Sequence, residues 1–296
     1  MSSMAVWRAS RPNFLILAPL CAWLGIVLAW RQSVAIGELN LALVVLGALL
    51  AHAAVNLLNE YQDFRSGLDS ITRRTPFSGG SGALPEAPEA AFRVLIMALA
   101  TMAAVSAIGV YFVWLRGLSL LVVGLVGLLL VVGYTRWITR SPWLCLIAPG
   151  LGFGPVMVLG TLVAVGGSLD VGAILVSLVA LLLVSELLLI NQFPDVEADH
   201  AVGRRHLPIV LGRKGAAKVV TVVLLGAYLL LVMAILSGLL PILAGLALLP
   251  LPAATWIAWR LPHALIDVEA LSRVLGVNVV TLLATLALLG AGLWWG

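Results

Sequence analysis

Apolar runs set what this chain can become. Nine of them, at residues 12–30, 39–58, 94–115, 118–133, 143–165, 171–190, 219–236, 239–258 and 274–295, take up most of its 296 residues. Most approach the ~20 residues an α-helix needs to cross bilayer hydrocarbon. Only 10% of the residues are charged, where a soluble domain carries about a quarter. Hydrophobic residues make up 62%, and the mean hydropathy is +1.14. One soluble core cannot hide that much apolar surface. The expectation is an all-α integral membrane protein, a single domain over residues 1–296 with nine transmembrane helices in one bundle.

The fourth run is short. The runs meeting at Arg116–Gly117 and at Ser237–Gly238 are too long together for one crossing, so each pair reads as a tight helical hairpin. The first run follows Arg8 and Arg11 but ends at Trp30–Arg31 without a small-residue cleavage pattern, and reads as a permanent helix. With nine crossings, fifteen of the 17 Lys and Arg fall on the side of the N-terminus, and only Arg31 and Arg116 on the other. The positive-inside rule then puts the N-terminus in the cytoplasm and the C-terminus outside, in a cell inner (cytoplasmic) membrane. Tryptophans at the run ends, among them Trp30, Trp143 and Trp294, suit the membrane interface. Two cysteines on separate segments make no disulfide framework or zinc spacing. The basic balance suits anionic headgroups or an anionic substrate, and no nucleic-acid motif accompanies it.

Polar residues concentrate in two long loops on the expected cytoplasmic side, after the second and sixth runs. The second run ends in "NEYQD", with Asn59 and Asp63, and Asp69 follows. The sixth ends in "NQFPD", with Asn191 and Asp195, and Asp199 follows. Each motif leads to a basic pair, Arg73–Arg74 and Arg204–Arg205. This is the pattern of a pseudo-repeat presenting two matched helix ends to each other. Residues three or four apart share a helix face, so His52, Asn56, Asn59 and Asp63 form one stripe. Asn191, Asp195 and Asp199 repeat the spacing, with Pro194 set to kink or end the helix.

Helix capping and interfacial solvation are the ordinary explanation of such clusters. Two arguments weigh against it here. Carboxylates at a helix C-terminus meet the negative end of its dipole, and several together repel unless a cation joins them. Mg²⁺ prefers such oxygens and bridges to substrate phosphates, while arginines clamp phosphate oxygens. The combination describes a diphosphate site. The Gly/Ser run Ser78–Gly82, beside Arg73 and Arg74, has the flexibility to wrap backbone N–H groups around an anion.

On these residues the chain resembles the UbiA superfamily of intramembrane prenyltransferases, whose members share nine transmembrane helices and two aspartate-rich motifs on the cytoplasmic side. The motifs are "NEYQDFRSGLD" and "NQFPDVEADHAVGRRHLPIVLG", with Asn191 following Asn59 by 132 residues. Asp63 and Asp69 stand six apart with Gly67 between. That spacing is similar to the 1,4-dihydroxy-2-naphthoate prenyltransferases of menaquinone synthesis. The sequence departs from the family pattern at Glu60, where Asp is usual, at Gln192–Phe193–Pro194, at His206–Leu207–Pro208 and in "TPFSGGSG". A Tyr-x-x-x-Lys signature appears only as Tyr134 with Ile138, though Arg136 and Arg140 are close.

The resemblance implies a polyprenyl diphosphate donor, an aromatic acceptor, contact with membrane lipid, and Mg²⁺ as cofactor, at an active site facing the cytoplasm. It implies Asp63 and Asp69 on one metal ion, and Asp195 and Asp199 on another. Asn59 and Asn191 would add amide oxygens or contacts to the head group. Arg73, Arg74, Arg204 and Arg205 are candidates for the diphosphate, with Asn56 beside them, and Tyr134 for facing the allylic cation. His52, two turns deeper, is a candidate for the acceptor pocket. Glu186 is ionisable within a span and so a functional candidate, but lies about 140° round its helix from Asn191. Other acceptors (another aromatic, a sugar phosphate, a lipid) stay open. So does an ion-coupled transporter, although transporters place ionisable residues near mid-bilayer.

Overall fold

A computed structural model describes residues 2–296, and α-helix dominates throughout. The N-terminal helix α1 (Ser2–Ala9) leads into α2 (Leu17–Arg31). Then come α3 (Glu38–Ser66), α4 (Ala91–Arg116), α5 (Ser119–Gly133), α6 (Pro142–Ala164), α7 (Val171–Ile190), α8 (Gly212–Leu236), α9 (Ile242–Ala264) and α10 (Val268–Trp295). Every expected run falls on one of these. Seven, α3, α4 and α6 to α10, are long and apolar enough to cross a membrane. The N-terminal residues and α2 form a pair bent by 50°, and α5, with 15 residues, is shorter.

The departures from simple spans have local causes. Arg11 sits at φ 51 before the 3₁₀ turn Pro12–Phe14, so the chain turns there instead of continuing one helix. Helix α3 outruns its apolar stretch and ends only where Gly67, at φ 78, caps it by donating to the Asp63 and Phe64 carbonyls. This is the left-handed stop that glycine allows. Helix α7 stops at Asn191 because Pro194 cannot continue it, and a separate short helix, Val196–Ala201, follows. Within α6 the segment Gly152–Leu159, which contains Pro155, is a π-helix; proline's missing N–H and ring favour such a widened turn.

The helices close into a ring. Each of α2 to α10 packs on its sequence neighbours, and α10 returns to α2. Trp294 stacks between Trp23 and Trp30, at ring centroid distances of 5.3 and 4.3 Å, and Arg31 donates to the Leu293 carbonyl. Among the seven long spans α7 is the most buried and α4 the least. Between α7 and α10, Asn278 donates to the wholly buried Glu186 at 2.9 Å. Glu186 thus serves helix contact and faces away from the motif residues. Without a hydrophobic drive between helices in lipid, small residues bring backbones together. A Cβ on Gly25 would stand 2.4 Å from the Val158 carbonyl, and one on Gly154 would stand 2.4 Å from the Ser177 carbonyl.

Gly154→Val is therefore expected to overpack α6 against α7 and cost about 1–3 kcal/mol. The melting temperature in detergent reads this out. Gly226→Val, where a Cβ meets no atom within 4 Å, is expected to leave it unchanged.

Candidate active site

A cavity of about 460 Å³ lies among α2 to α7, with Val279, Leu282 and Leu283 of α10 also lining it. Its walls are apolar. Its mouth lies where α3 and α7 end, and there the two motifs meet. Asp63, Asp69, Asp195, Asp199, Asn56, Asn59, Asn191, Arg204, Tyr134 and His52 all line it. The α3 stripe expected from the sequence spacing faces this cavity along its whole length.

Arg204 is the centre of the mouth. Its guanidinium bonds Asp63 from the first motif and Asp199 Oδ1 from the second, the latter at 2.8 Å. His206, buried, pairs through Nε2 with Asp199 Oδ2 at 2.8 Å. Gly203, at φ 81, turns the chain so that Arg204 points inward while Arg205 is exposed. Arg73 is exposed as well, and Arg74 reaches Glu86 at 2.9 Å instead of the acids. The structure therefore brings one of the four motif arginines to the cavity and leaves Arg73, Arg74 and Arg205 outside it, because loop direction and the Glu86 carboxylate, not sequence adjacency, decide where they point.

A second cation comes from the N-terminal segment. Arg11 lines the cavity and donates to Glu60 Oε2 at 3.3 Å. Glu60, wholly buried, also accepts from the Ser81 backbone N–H and the Ser81 hydroxyl. It anchors the Gly/Ser segment as a roof over the mouth. Gly79 N–H in the same segment donates to Asp195 Oδ2 at 3.1 Å. Asn56 donates to the Ser10 carbonyl, and Asn59 accepts from Thr135. Deeper in, His52 meets Phe153 edge-on at 4.8 Å, and its Nδ1 has no partner. Arg11, Glu60 and His206 are the residues that motif spacing alone did not single out. The departures from the family pattern at Glu60 and His206 pointed to two of them, and no local signal pointed to Arg11.

The donor set fits a hard divalent cation. Asp69 Oδ2, Asp195 Oδ1 and Asn191 Oδ1 are buried oxygens with no hydrogen-bond partner, and Mg²⁺ takes such carboxylate and amide oxygens. No cluster of three acids, histidines or cysteines stands ready as a ligand set among the described residues. Arg204 holds Asp63 and Asp199, and Gly79 holds Asp195. Burial, and then the charges of Glu60 and Asp63, push Asp69 up to about 7. Burial, and then Asp199, push Asp195 up to about 7 against the pull of the Gly79 N–H.

Comparison with known proteins follows this geometry. Residues 18–279 match the sequence model of the UbiA prenyltransferase family. The 1,4-dihydroxy-2-naphthoate octaprenyltransferase of Bacillus subtilis (strain 168) is 30% identical over 236 residues, 79% of this chain and 74% of that protein. The protein of the same description from Haemophilus influenzae is 27% identical over 70% of this chain and 68% of its own. Among solved structures, a UbiA homologue from Aeropyrum pernix K1 superposes with TM-score 0.69 at 18% identity, covering 95% of this chain and 96% of that one. A UbiA homologue from Archaeoglobus fulgidus, bound to DMAPP and Mg²⁺, superposes with TM-score 0.66 at 14% identity, over 96% and 98% of the two chains.

The raised carboxyls make a pH prediction. A carboxyl with a higher pKa folded than unfolded binds its proton more tightly in the folded protein. Its stabilising contribution is full below about 4 and is lost as pH rises through about 7. Without divalent cations, the melting temperature is expected to carry a falling component across that window. Mg²⁺ should offset it most at the upper end, where the carboxylates are ionised. A Mg²⁺ effect equal at both ends would refute the link.

Proposed function

The chain belongs to the UbiA prenyltransferase family and is a prenyltransferase, and on that premise we propose that it carries out Mg²⁺-dependent transfer of a prenyl group from a polyprenyl diphosphate to an aromatic acceptor, 1,4-dihydroxy-2-naphthoate. The observation that carries this reading is the convergence of both aspartate motifs on Arg204 at the mouth of one apolar cavity. The acceptor follows the Asp63–Asp69 spacing and the description shared by the two curated relatives.

In this reading all nine apolar runs cross the inner membrane as one domain. The N-terminus and the acidic mouth face the cytoplasm, and the C-terminus lies outside. The fifteen-to-two distribution of basic residues supports that orientation.

Asp63, Asp69, Asp195 and Asp199, with the amide oxygens of Asn59 and Asn191, would hold Mg²⁺, which when bound neutralises charge on the leaving diphosphate. Arg204 and Arg11 add positive charge from the protein at the same mouth, where low dielectric strengthens it. The prenyl tail lies in the apolar part of the cavity, and the allylic carbon sits below the acids. Tyr134 presents its ring to the cation that forms as the C–O bond breaks. The apolar walls keep water from that carbon. His52 hydrogen-bonds the acceptor, whose electron-rich ring carbon takes the prenyl group and then loses its proton.

The test incubates purified protein with geranyl or longer diphosphates, a panel of aromatic acceptors including 1,4-dihydroxy-2-naphthoate, and Mg²⁺ or EDTA, with products identified by mass. Prenylated naphthoate product that vanishes with EDTA is expected. Absence of Mg²⁺-dependent diphosphate release with every acceptor would sink the proposal. Asp63→Ala and Asp195→Ala should each lower kcat by at least about a hundredfold while the protein still folds.

Arginine substitutions separate the site from its surroundings. Arg204→Ala should cost activity on the scale of the aspartate variants. Arg73→Ala and Arg205→Ala, both exposed, should stay within about twofold of wild type, as surface changes do. Equal losses from all three would reject the central role of Arg204.

A further inference from the structure

Helix α7 carries Asn191 of the second motif at its end, and the way the helix faces decides where that residue points. Its surface is almost wholly apolar, and apolar contact is non-directional. Leu187, Leu188, Asn191 and Gln192 line the cavity. Glu186 lies elsewhere, about 140° round the helix from Asn191. Among the hydrogen bonds of the described residues, one joins a side chain of α7 to another membrane helix: Asn278 Nδ2 of α10 donates to Glu186 Oε2 at 2.9 Å. Ser177 bonds its own helix at the Ile174 carbonyl, and the Ser185 hydroxyl has no partner.

That pair is unbalanced. Glu186 is wholly buried and Asn278 is 1% exposed. Glu186 Oε1 and Asn278 Oδ1 both lack a partner. A carboxylate oxygen and an amide oxygen only accept, so neither satisfies the other while Glu186 is ionised. No Lys, Arg or His pairs with Glu186 among the described residues. The buried Tyr228 of α8 has its hydroxyl engaged with Thr285. An ionised Glu186 would be a charge in apolar surroundings held by one neutral donor, which is a costly state. One proton on Oε1 removes both faults. The charge disappears, and a donor appears in a pair that has an acceptor to spare.

We propose that Glu186 is a positioning residue that acts as a neutral carboxylic acid. Its Oε1 carries a proton and donates it to Asn278 Oδ1, while Asn278 Nδ2 donates to Oε2. This two-way acid–amide pair fixes the rotation of α7 that presents Asn191 and Gln192 to the cavity. Apolar packing brings α7 and α10 together, and the pair selects one angle among those that packing allows. Glu186 takes no part in binding or proton transfer at the mouth. The pair stands on its own geometry, and its effect on turnover rests on the function proposed above.

The infrared difference spectrum of wild type minus Glu186→Gln reads the proton directly. Wild type should show the carbonyl band of a protonated carboxyl, and a carboxylate signal in its place would overturn the neutral pair. Glutamine supplies an N–H where the acid has its O–H. Glu186→Gln should therefore keep the melting temperature in detergent and stay within about twofold of wild-type kcat/KM. Glu186→Leu and Asn278→Leu each strand one buried partner and should lower the melting temperature. They should also lower kcat/KM at least about tenfold, because Asn191 is misplaced. The double leucine variant removes both polar groups, so it should regain stability while kcat/KM stays low. A Glu186→Gln variant as impaired as Glu186→Leu would overturn the proposal, and so would a double variant with wild-type turnover. A wild type inactive with every donor and acceptor refutes the function proposed above, while the infrared and melting measurements still decide the pair.

Discussion

The site depends on one guanidinium. Asp63 arrives on α3 and Asp199 on the short helix after α7, and both bond Arg204. Two buried carboxylates brought together this way repel unless a cation stands between them, and a fixed planar fork with several donors suits the task better than a point charge. The bridge ties segments 141 residues apart. It engages Asp63 and Asp199 and leaves Asp69, Asp195 and Asn191 each with an unpartnered oxygen.

The roof follows the same electrostatics. Glu60 is wholly buried, which would be costly without partners. It finds them in Arg11, the Ser81 N–H and the Ser81 hydroxyl. Satisfying that acid pins the Gly/Ser segment across the mouth. Gly80, at φ 74, lets the segment pass within reach of Asp69, where a Cβ would come 3.1 Å from its Oδ1. Helix α1 closes the arrangement from outside, because Arg8 bonds Glu86 and the Ser81 carbonyl.

Legibility in the sequence tracked how local each feature is. The stripe His52, Asn56, Asn59, Asp63 could be read because a single uninterrupted helix carries it, and 3.6-residue periodicity is all that reading needs. The second motif has the same spacing on paper, yet Pro194 divides it between the end of α7 and a separate helix. Its residues reach the mouth through a turn that spacing does not encode. The arginines mark the limit most clearly. Arg204 and Arg205 are neighbours in sequence, and the left-handed turn at Gly203 sends one in and one out. Arg11 and Glu60 pair across 49 residues, and no local pattern relates them. The apolar runs gave the helices well, but the break at Arg11 depends on a backbone turn that composition does not reveal.

The pseudo-repeat has two matched ends, and the ring is tied unevenly between its helices. The second half of the ring is filled and tied: Glu186 with Asn278, and Tyr228 with Thr285 at 2.7 Å, join α7, α8 and α10 through their buried faces. In the first half, Gly109 and Gly124 line the cavity, and a Cβ on either would meet no atom within 4 Å. Helix α4, the least buried of the seven long spans, packs closely on α3 and also meets α5. The tied half therefore holds the motif residues of α7 in place beside the cavity.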